Sequence, residues 1–316
     1  MDNTNSGHRS QNVSAVTSHY LGGPWNCKWI ASFALSRNKV LIFGPDANSP
    51  QLVDSYGFLN ASIPIVFSHG SYLTVQDAAL LRSTNQHLSI TAESERHYGH
   101  GDSQSPYIMD QASLGVDTHF TYSTDIIGQA RLWLQTVRLL FYSQVLANWE
   151  IPPNNPMSVE QSFYLATRAG GLALHRDDIG MLVEGAKADL VVFDGTSPNM
   201  LGWADPVAAV MLHSNVGNVQ HVLVDGKFQK RDFRLTTTGN YTNITAQFLA
   251  SARRIQSIWE KTPYPDLTGA WPYTPDINYT RAVTAYVEPG QESGYPPVLE
   301  WYQGDSISDY EPDTCS

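Results

Sequence analysis

Four short runs of apolar and β-branched residues, each stopping on an ionisable side chain, pattern the first part of the chain. Val13 to Ser18 runs into His19, Ile63 to Ser68 into His69, His87 to Ala92 into Glu93, and Gln111 to Val116 into Asp117. Short unbroken runs of this kind mark parallel strands buried on both faces. Helical spacing lies between and after them. Ser49-Pro50 supplies a cap and a proline for the first helical position, and leads into Gln51 to Tyr56 with Gly57 as the stop. Thr74-Val75-Gln76-Asp77 has the form of a capping box ahead of Ala78 to Leu81, with Asp in place of the usual Glu or Gln. Ser123-Thr124-Asp125 opens the longest helix, whose apolar positions Ile126, Ile127, Ala130, Leu134 and Val137 recur at helical spacing, and which runs to about Trp149.

A strand, an ionisable residue at its carboxyl end, a polar loop and a capped helix make one βα unit, and barrels built of such units carry their chemistry at that end. The four strands read as half of a catalytic barrel. Two stretches fit less well. Asn26 to Pro45 is aromatic and apolar without a place in the repeat, and Ser94 to Gly101 reads as a polar loop rather than a regular helix. Further on, Ser158-Val159-Glu160-Gln161 caps a helix that continues through Leu174, with small residues at Ala166 to Gly171. From Ile179 the texture turns to β: Gly180 to Gly185, Ala188 to Asp194, and Val219 to Val224 ahead of the hairpin signal Asp225-Gly226. Ala246 to Glu260 reads as a surface helix. The Pro-, Tyr- and Gly-rich remainder reads as having little fixed structure.

Composition narrows the function classes. A net charge of −11 over 316 residues disfavours nucleic acid, whose phosphates require a basic face, and gives no sign of an anionic-membrane binder. A small-molecule substrate follows, with a homo-oligomer as the open question. Two cysteines, Cys27 and Cys315, make neither a disulfide framework nor a thiolate cage. The polar segment before Gln11 lacks the apolar core of a signal peptide, and no run is long enough to span a bilayer, so a cytoplasmic protein is expected. Sequons at Asn12, Asn60, Asn240, Asn243 and Asn278 would matter only in a secreted glycoprotein.

Ser68-His69-Gly70, Ser113-Leu114-Gly115-Val116-Asp117, Ala166-Thr167 and, above all, the run from Ile179-Gly180-Met181-Leu182-Val183-Glu184-Gly185 through Ala188-Asp189-Leu190-Val191-Val192 together resemble the amidohydrolase superfamily. Within it, the resemblance is to the cytosine-deaminase-like and atrazine-chlorohydrolase-like branch. It covers roughly residues 13 to 230 and the later part of the family's order. The fold it implies is α/β: a partial TIM-type (β/α)8 barrel, strands five to eight, plus a small β-sandwich-like module. The corresponding segments are a disordered 1–11, the barrel portion 12–176, the β module 177–238, and a helix with an extended tail 239–316.

The activity implied is a metal-dependent hydrolase acting on non-peptide carbon–nitrogen bonds of small cyclic compounds. The resemblance makes His19, ending the fifth strand, a metal ligand. It makes His69, ending the sixth, a contact to the attacking water or substrate, and Asp117, ending the eighth, both ligand and general base. Glu93 and His119 are the candidates for binding substrate. The implied cofactor is a divalent metal, zinc first and iron second, since imidazole and carboxylate hold such an ion while leaving a position for water. Taken alone, Glu93 and Glu95 read as solvated loop charges, and His97 and His100 as lining the mouth. Two departures from the family stand out: no His-x-His pair occurs, and Gly22 occupies the place of the deaminase proton-shuttle Glu, for which Glu93 or Glu95 is the available stand-in. They leave a second class open, an inactive, truncated relative serving as a binding module, in which a half-barrel would have bare sheet edges.

Overall fold

Five strands form an all-parallel sheet whose spatial order follows the chain: β1 (Ala15–Ser18), β2 (Val40–Phe43), β3 (Ile65–Ser68), β4 (His87–Ile90) and β5 (Ala112–Leu114). The computed structural model describes residues 49–99, 104–236, 239–270, 278–282, 284 and 287–290, together with the strand backbone at 15–18 and 40–43. The chain divides into two compact units, Met1–Val137 with Met157–Pro263, and Arg138–Pro156 with Tyr264–Ser316. Both sheets belong to the first unit. In the second, Tyr142 hydrogen-bonds Asn155 and the amide of Tyr279 donates to the carbonyl of Gly269. Among the described residues no helix is long and apolar enough to cross a membrane.

Parallel neighbours require crossovers, and the helices supply them. α1 (Pro50–Ser55) joins β2 to β3, α2 (Val75–Thr84) joins β3 to β4, and α3 (Ala92–His97) with two single 3-10 turns joins β4 to β5. The start signals act as their chemistry requires. Ser49 accepts from the amide of Leu52, and Pro50 sits at the first helical position. Thr74 and Asp77 close a full capping box, so Asp serves in place of Glu. The buried face is built from Ile65, Phe67, Leu81, Leu88 and Ile90, and Gln86 is buried beneath it. Its side chain accepts from the amide of Ile65 at 2.6 Å and donates toward the carbonyls of Leu59, Ala61 and Ile63, which pins the approach to β3.

β2 lies in the stretch that had no place in the repeat. Val40 pairs Ala15 on one side, and Leu41 pairs Ile65 on the other. The expected run of four strands is therefore corrected to five, and the strand leading to His19 is not adjacent to the strand leading to His69. Ser94 to Gly101 is corrected as well, since its first half is the helix α3.

After β5, α4 (Ile126–Leu146) starts where expected, with Asp125 accepting from the amide of Ile127. Ser158 and Gln161 form the capping box of α5 (Val159–Ala166), but the helix breaks at Thr167 and resumes as α6 (Arg168–Ala173). Both lie beside β5. The segment 179–189 is not a strand. Gly180 and Gly185 both have positive φ there, and Lys187 donates its amide back to the carbonyl of Asp178, which folds the segment into turns.

The second sheet is antiparallel, in the order β6 (Leu190–Phe193), β7 (Val219–Val224), β8 (Lys227–Arg231), β9 (Arg234–Leu235). Among the described residues this single sheet is the module expected to be β-sandwich-like. α7 (Pro206–His213) packs Met211 against Ile127 and Ala130 of α4, with Phe193 and Leu114 around them. Arg131 ties the same two helices together by donating to the carbonyls of Met211 and Ser214. α8 (Tyr241–Trp259) begins five residues ahead of the expected start, because Asn240 caps it.

Candidate active site

The carboxyl ends of β3, β4 and β5 lie at one rim because the strands are parallel and in register: Ser68 pairs Ser89, and Ser89 pairs Ser113. His69 and Thr91 follow the ends of β3 and β4 directly, and Asp117 comes three residues after the end of β5. At His69 the chain leaves the sheet with φ 65°, while its amide still donates to the carbonyl of Ser89 at 2.8 Å. A Cβ on the next residue, Gly70, would sit 2.0 Å from Ser105 Oγ, so glycine is required for the turn to pass. Gly115 plays the same part at β5, where a Cβ would fall 2.6 Å from Ser89 Oγ and 3.2 Å from Thr91. Asp117 also has a left-handed backbone, φ 69°.

α3 organises this rim. Three consecutive residues of the helix each hold a different neighbour. Glu93 forms a reciprocal pair with Gln129 of α4, its amide donating to Gln129 Oε1 at 3.0 Å and its Oε2 accepting from Nε2 at 2.7 Å. Ser94 donates its hydroxyl to Asp117 Oδ2 at 2.6 Å. Glu95, fully buried, accepts the amide and hydroxyl of Thr91 at 3.0 and 3.4 Å, and its Oε1 lies 3.8 Å from His69 Nδ1. Thr91 in turn hydrogen-bonds His69 Nδ1. One helical turn thus links His69 to Asp117.

The other expected residues fall as follows. Glu93 has its carboxylate on α4. His119 is exposed on the loop after Asp117, its ring 6.2 Å from Phe120 and 6.3 Å from Phe248 of α8. His97 sits in an edge-to-face cluster with Tyr98 at 4.9 Å and Tyr122 at 5.4 Å. Burial, with the hydroxyl of Tyr98 adding to it, pushes the Tyr122 phenol up to about 12. His19 and His100 lie outside the described residues. Thr91 and Ser94 carry no mark in the sequence, and Glu95, which reads there as a solvated charge or as a stand-in for the shuttle Glu, is buried. The missing signal was helical period: positions i, i+3 and i+4 share one face, which separates these three from Glu93.

A positioned carboxylate beside an oriented imidazole, at the carboxyl end of a parallel sheet, is equipped to move protons in a hydrolysis. Residues 34–228 match the Amidohydrolase family. The chain belongs to this family. A 5'-deoxyadenosine deaminase from Methanococcus aeolicus is 26% identical to this amidohydrolase over 177 residues, 56% of this chain and 39% of the relative. A 5-methylthioadenosine/S-adenosylhomocysteine deaminase from Pyrococcus horikoshii is 26% identical over 181 residues, 55% and 39% of the two chains. The chain thus spans well under half the length of these curated relatives. Among solved structures, a mutant of atrazine chlorohydrolase TrzN from Arthrobacter aurescens, complexed with zinc and atraton, superposes with a TM-score of 0.63 at 16% identity, over 75% of this chain and 54% of that one. An adenosine deaminase from Xanthomonas campestris with bound zinc gives 0.64 at 16%, over 79% and 57%. These likenesses carry the fold.

The zinc in those neighbours invites a test of the donor set here. Among the described residues no group of three or more His, Cys, Asp or Glu is able to hold a metal ion. Asp117 is exposed and has one oxygen engaged by Ser94. The strands leading to the two expected ligands, β1 and β5, are opposite edges of the sheet. Four strand spacings amount to about 19 Å across a flat sheet, so a shared ion requires the sheet to curl. The described residues alone do not make a metal centre.

Proposed function

We propose that this amidohydrolase hydrolyses carbon–nitrogen bonds of small cyclic compounds, with Asp117 and His69 as the groups that handle protons and water. The observation that carries the reading is the linkage through α3, which ties a strand-end carboxylate and a strand-end imidazole to consecutive residues of one helix. Asp117 takes the proton of an attacking water and passes it to the leaving nitrogen, a role suited to an exposed carboxylate with one oxygen steadied by Ser94. His69 orients the water or substrate from the neighbouring strand end. His119, exposed on the next loop, is placed to meet a substrate, whereas Glu93 serves by fixing α3 against α4.

The sequential parallel order of β1 to β5 supports the partial-barrel reading. With β2 counted, and β5 taken as the last barrel strand, β1 falls one place before the expected fifth. Zinc in the solved relatives supports a divalent ion, and His19 with Asp117 is the pair proposed to contribute to its site.

The test is ammonia release from 5'-deoxyadenosine, 5-methylthioadenosine, adenosine and guanine, and hydrolysis of atrazine, alongside elemental analysis for zinc, iron and manganese. Turnover of one compound that falls about 10²- to 10⁴-fold in Asp117→Asn, with the fold unchanged, is the expected result. A folded protein that turns over none of them and carries no metal would overturn the hydrolase reading in favour of a binding module.

A further inference from the structure

We propose that Glu95 is a positioning residue for His69, acting through the hydroxyl of Thr91 to decide which ring nitrogen carries the proton. Glu95 is completely buried, and its Oε1 accepts from both the amide and the hydroxyl of Thr91. A threonine hydroxyl has one proton to give. With that proton directed to the carboxylate, the oxygen meets His69 Nδ1 as an acceptor. Nδ1 therefore holds the hydrogen, and Nε2 presents its lone pair. The carboxylate oxygen 3.8 Å from Nδ1 reinforces this, because it attracts an N–H and repels a lone pair.

The surroundings hold each member of the relay still. His69 leaves β3 from a backbone fixed by its hydrogen bond to Ser89, at a φ of 65°. α3 is held further by Glu93 on Gln129 and by Ser94 on Asp117. A carboxylate that served only to cap the amide of Thr91 would not need the hydroxyl or the imidazole beside it. The catalytic consequence rests on the hydrolase reading: a fixed Nε2 lone pair is what an imidazole must offer to a water or a substrate N–H. The proton's location does not rest on that reading.

The experiment is nitrogen NMR of the full chain labelled with ¹⁵N-histidine, the His69 signals being assigned by their loss in His69→Asn. In the unmodified chain the proton is expected on Nδ1. Thr91→Val removes the hydroxyl while keeping size and the amide bond to Glu95, and moves the proton toward Nε2. Thr91→Ser restores it. Glu95→Ala frees the hydroxyl to donate to the ring, with the same shift as Thr91→Val, whereas Glu95→Gln keeps an acceptor oxygen and the original tautomer. Should Glu95→Ala fail to fold, Thr91→Val and Glu95→Gln decide the matter. A proton on Nε2 in the unmodified chain, or no change in Thr91→Val, overturns the proposal. In turnover of 5'-deoxyadenosine, Thr91→Val is expected to lose about ten- to a hundredfold in kcat with KM nearly constant. A tautomer that moves with no change in rate would support the relay and remove His69 from the catalytic reading.

Discussion

His87 and His69 sit at opposite ends of neighbouring strands, and the fold uses them differently. His69 is held by polar partners at the site rim, whereas His87 starts β4 at the far end, buried, with His175 at a ring distance of 6.2 Å. Burial, and secondly the nearness of His175, lowers the pKa of His87 from 6.5 to about 4. Between those values the unfolded chain binds the extra proton and the folded one does not. The stability contribution is complete above about pH 6.5 and drains away as pH falls toward 4, by at most about 3 kcal/mol. Thermal midpoints measured across that window should decline in the unmodified chain and flatten in His87→Asn. Glycine at position 115 is set by space alone, since its φ is ordinary and its absent Cβ would meet Ser89 and Thr91. Gly115→Ala should cost about 1–3 kcal/mol and disturb Thr91, readable together as a lower midpoint and a shifted His69 spectrum.

At the scale of elements, caps were the most legible feature, and breaks the least. Ser49, Thr74, Asp125 and Ser158 each start a helix as their side chains dictate, because a cap bonds amides two or three residues away and needs nothing distant. Asp205-Pro206 carries the same signal for α7. The break at Thr167 has no such local mark. It comes from the run around Ile179, which packs against it: Arg168 donates to the carbonyls of Arg176 and Ile179, and a Cβ on Gly180 would lie 2.9 Å from Arg168 Cα. The family-like motif at 179–185 is therefore a packing device here rather than a strand. Gly180→Ala meets backbone atoms at a φ of 73° and should destabilise by about 2–4 kcal/mol, from strain and overpacking together. A denaturation midpoint that does not move would show the contact to be dispensable.

At the scale of the whole molecule, a divalent ion held as proposed is part of the native state. Chelation should therefore lower the melting temperature, since a ligand at a hundred times its Kd adds about 2.7 kcal/mol. Zinc added back should restore the midpoint, and an indifferent midpoint would speak against a bound ion. Much about the chain could be read from its letters. The βα grammar, the strand-end positions of His69 and Asp117, the hairpin at Asp225-Gly226 and the family itself all rest on near neighbours in sequence, where period and capping chemistry act directly. The count of strands, the helix at 92–97 and the roles of Thr91, Ser94 and Glu95 came only from three dimensions. Val40–Phe43 is a strand because Ala15 and Ile65 offer it partners on either side, and Glu95 is buried because β3 and β5 bring His69 and Asp117 to the same helix. Hydrogen bonds between residues twenty or more apart have no periodic trace along the chain, and the links from His69 to Thr91 and from Asp117 to Ser94 are of that kind.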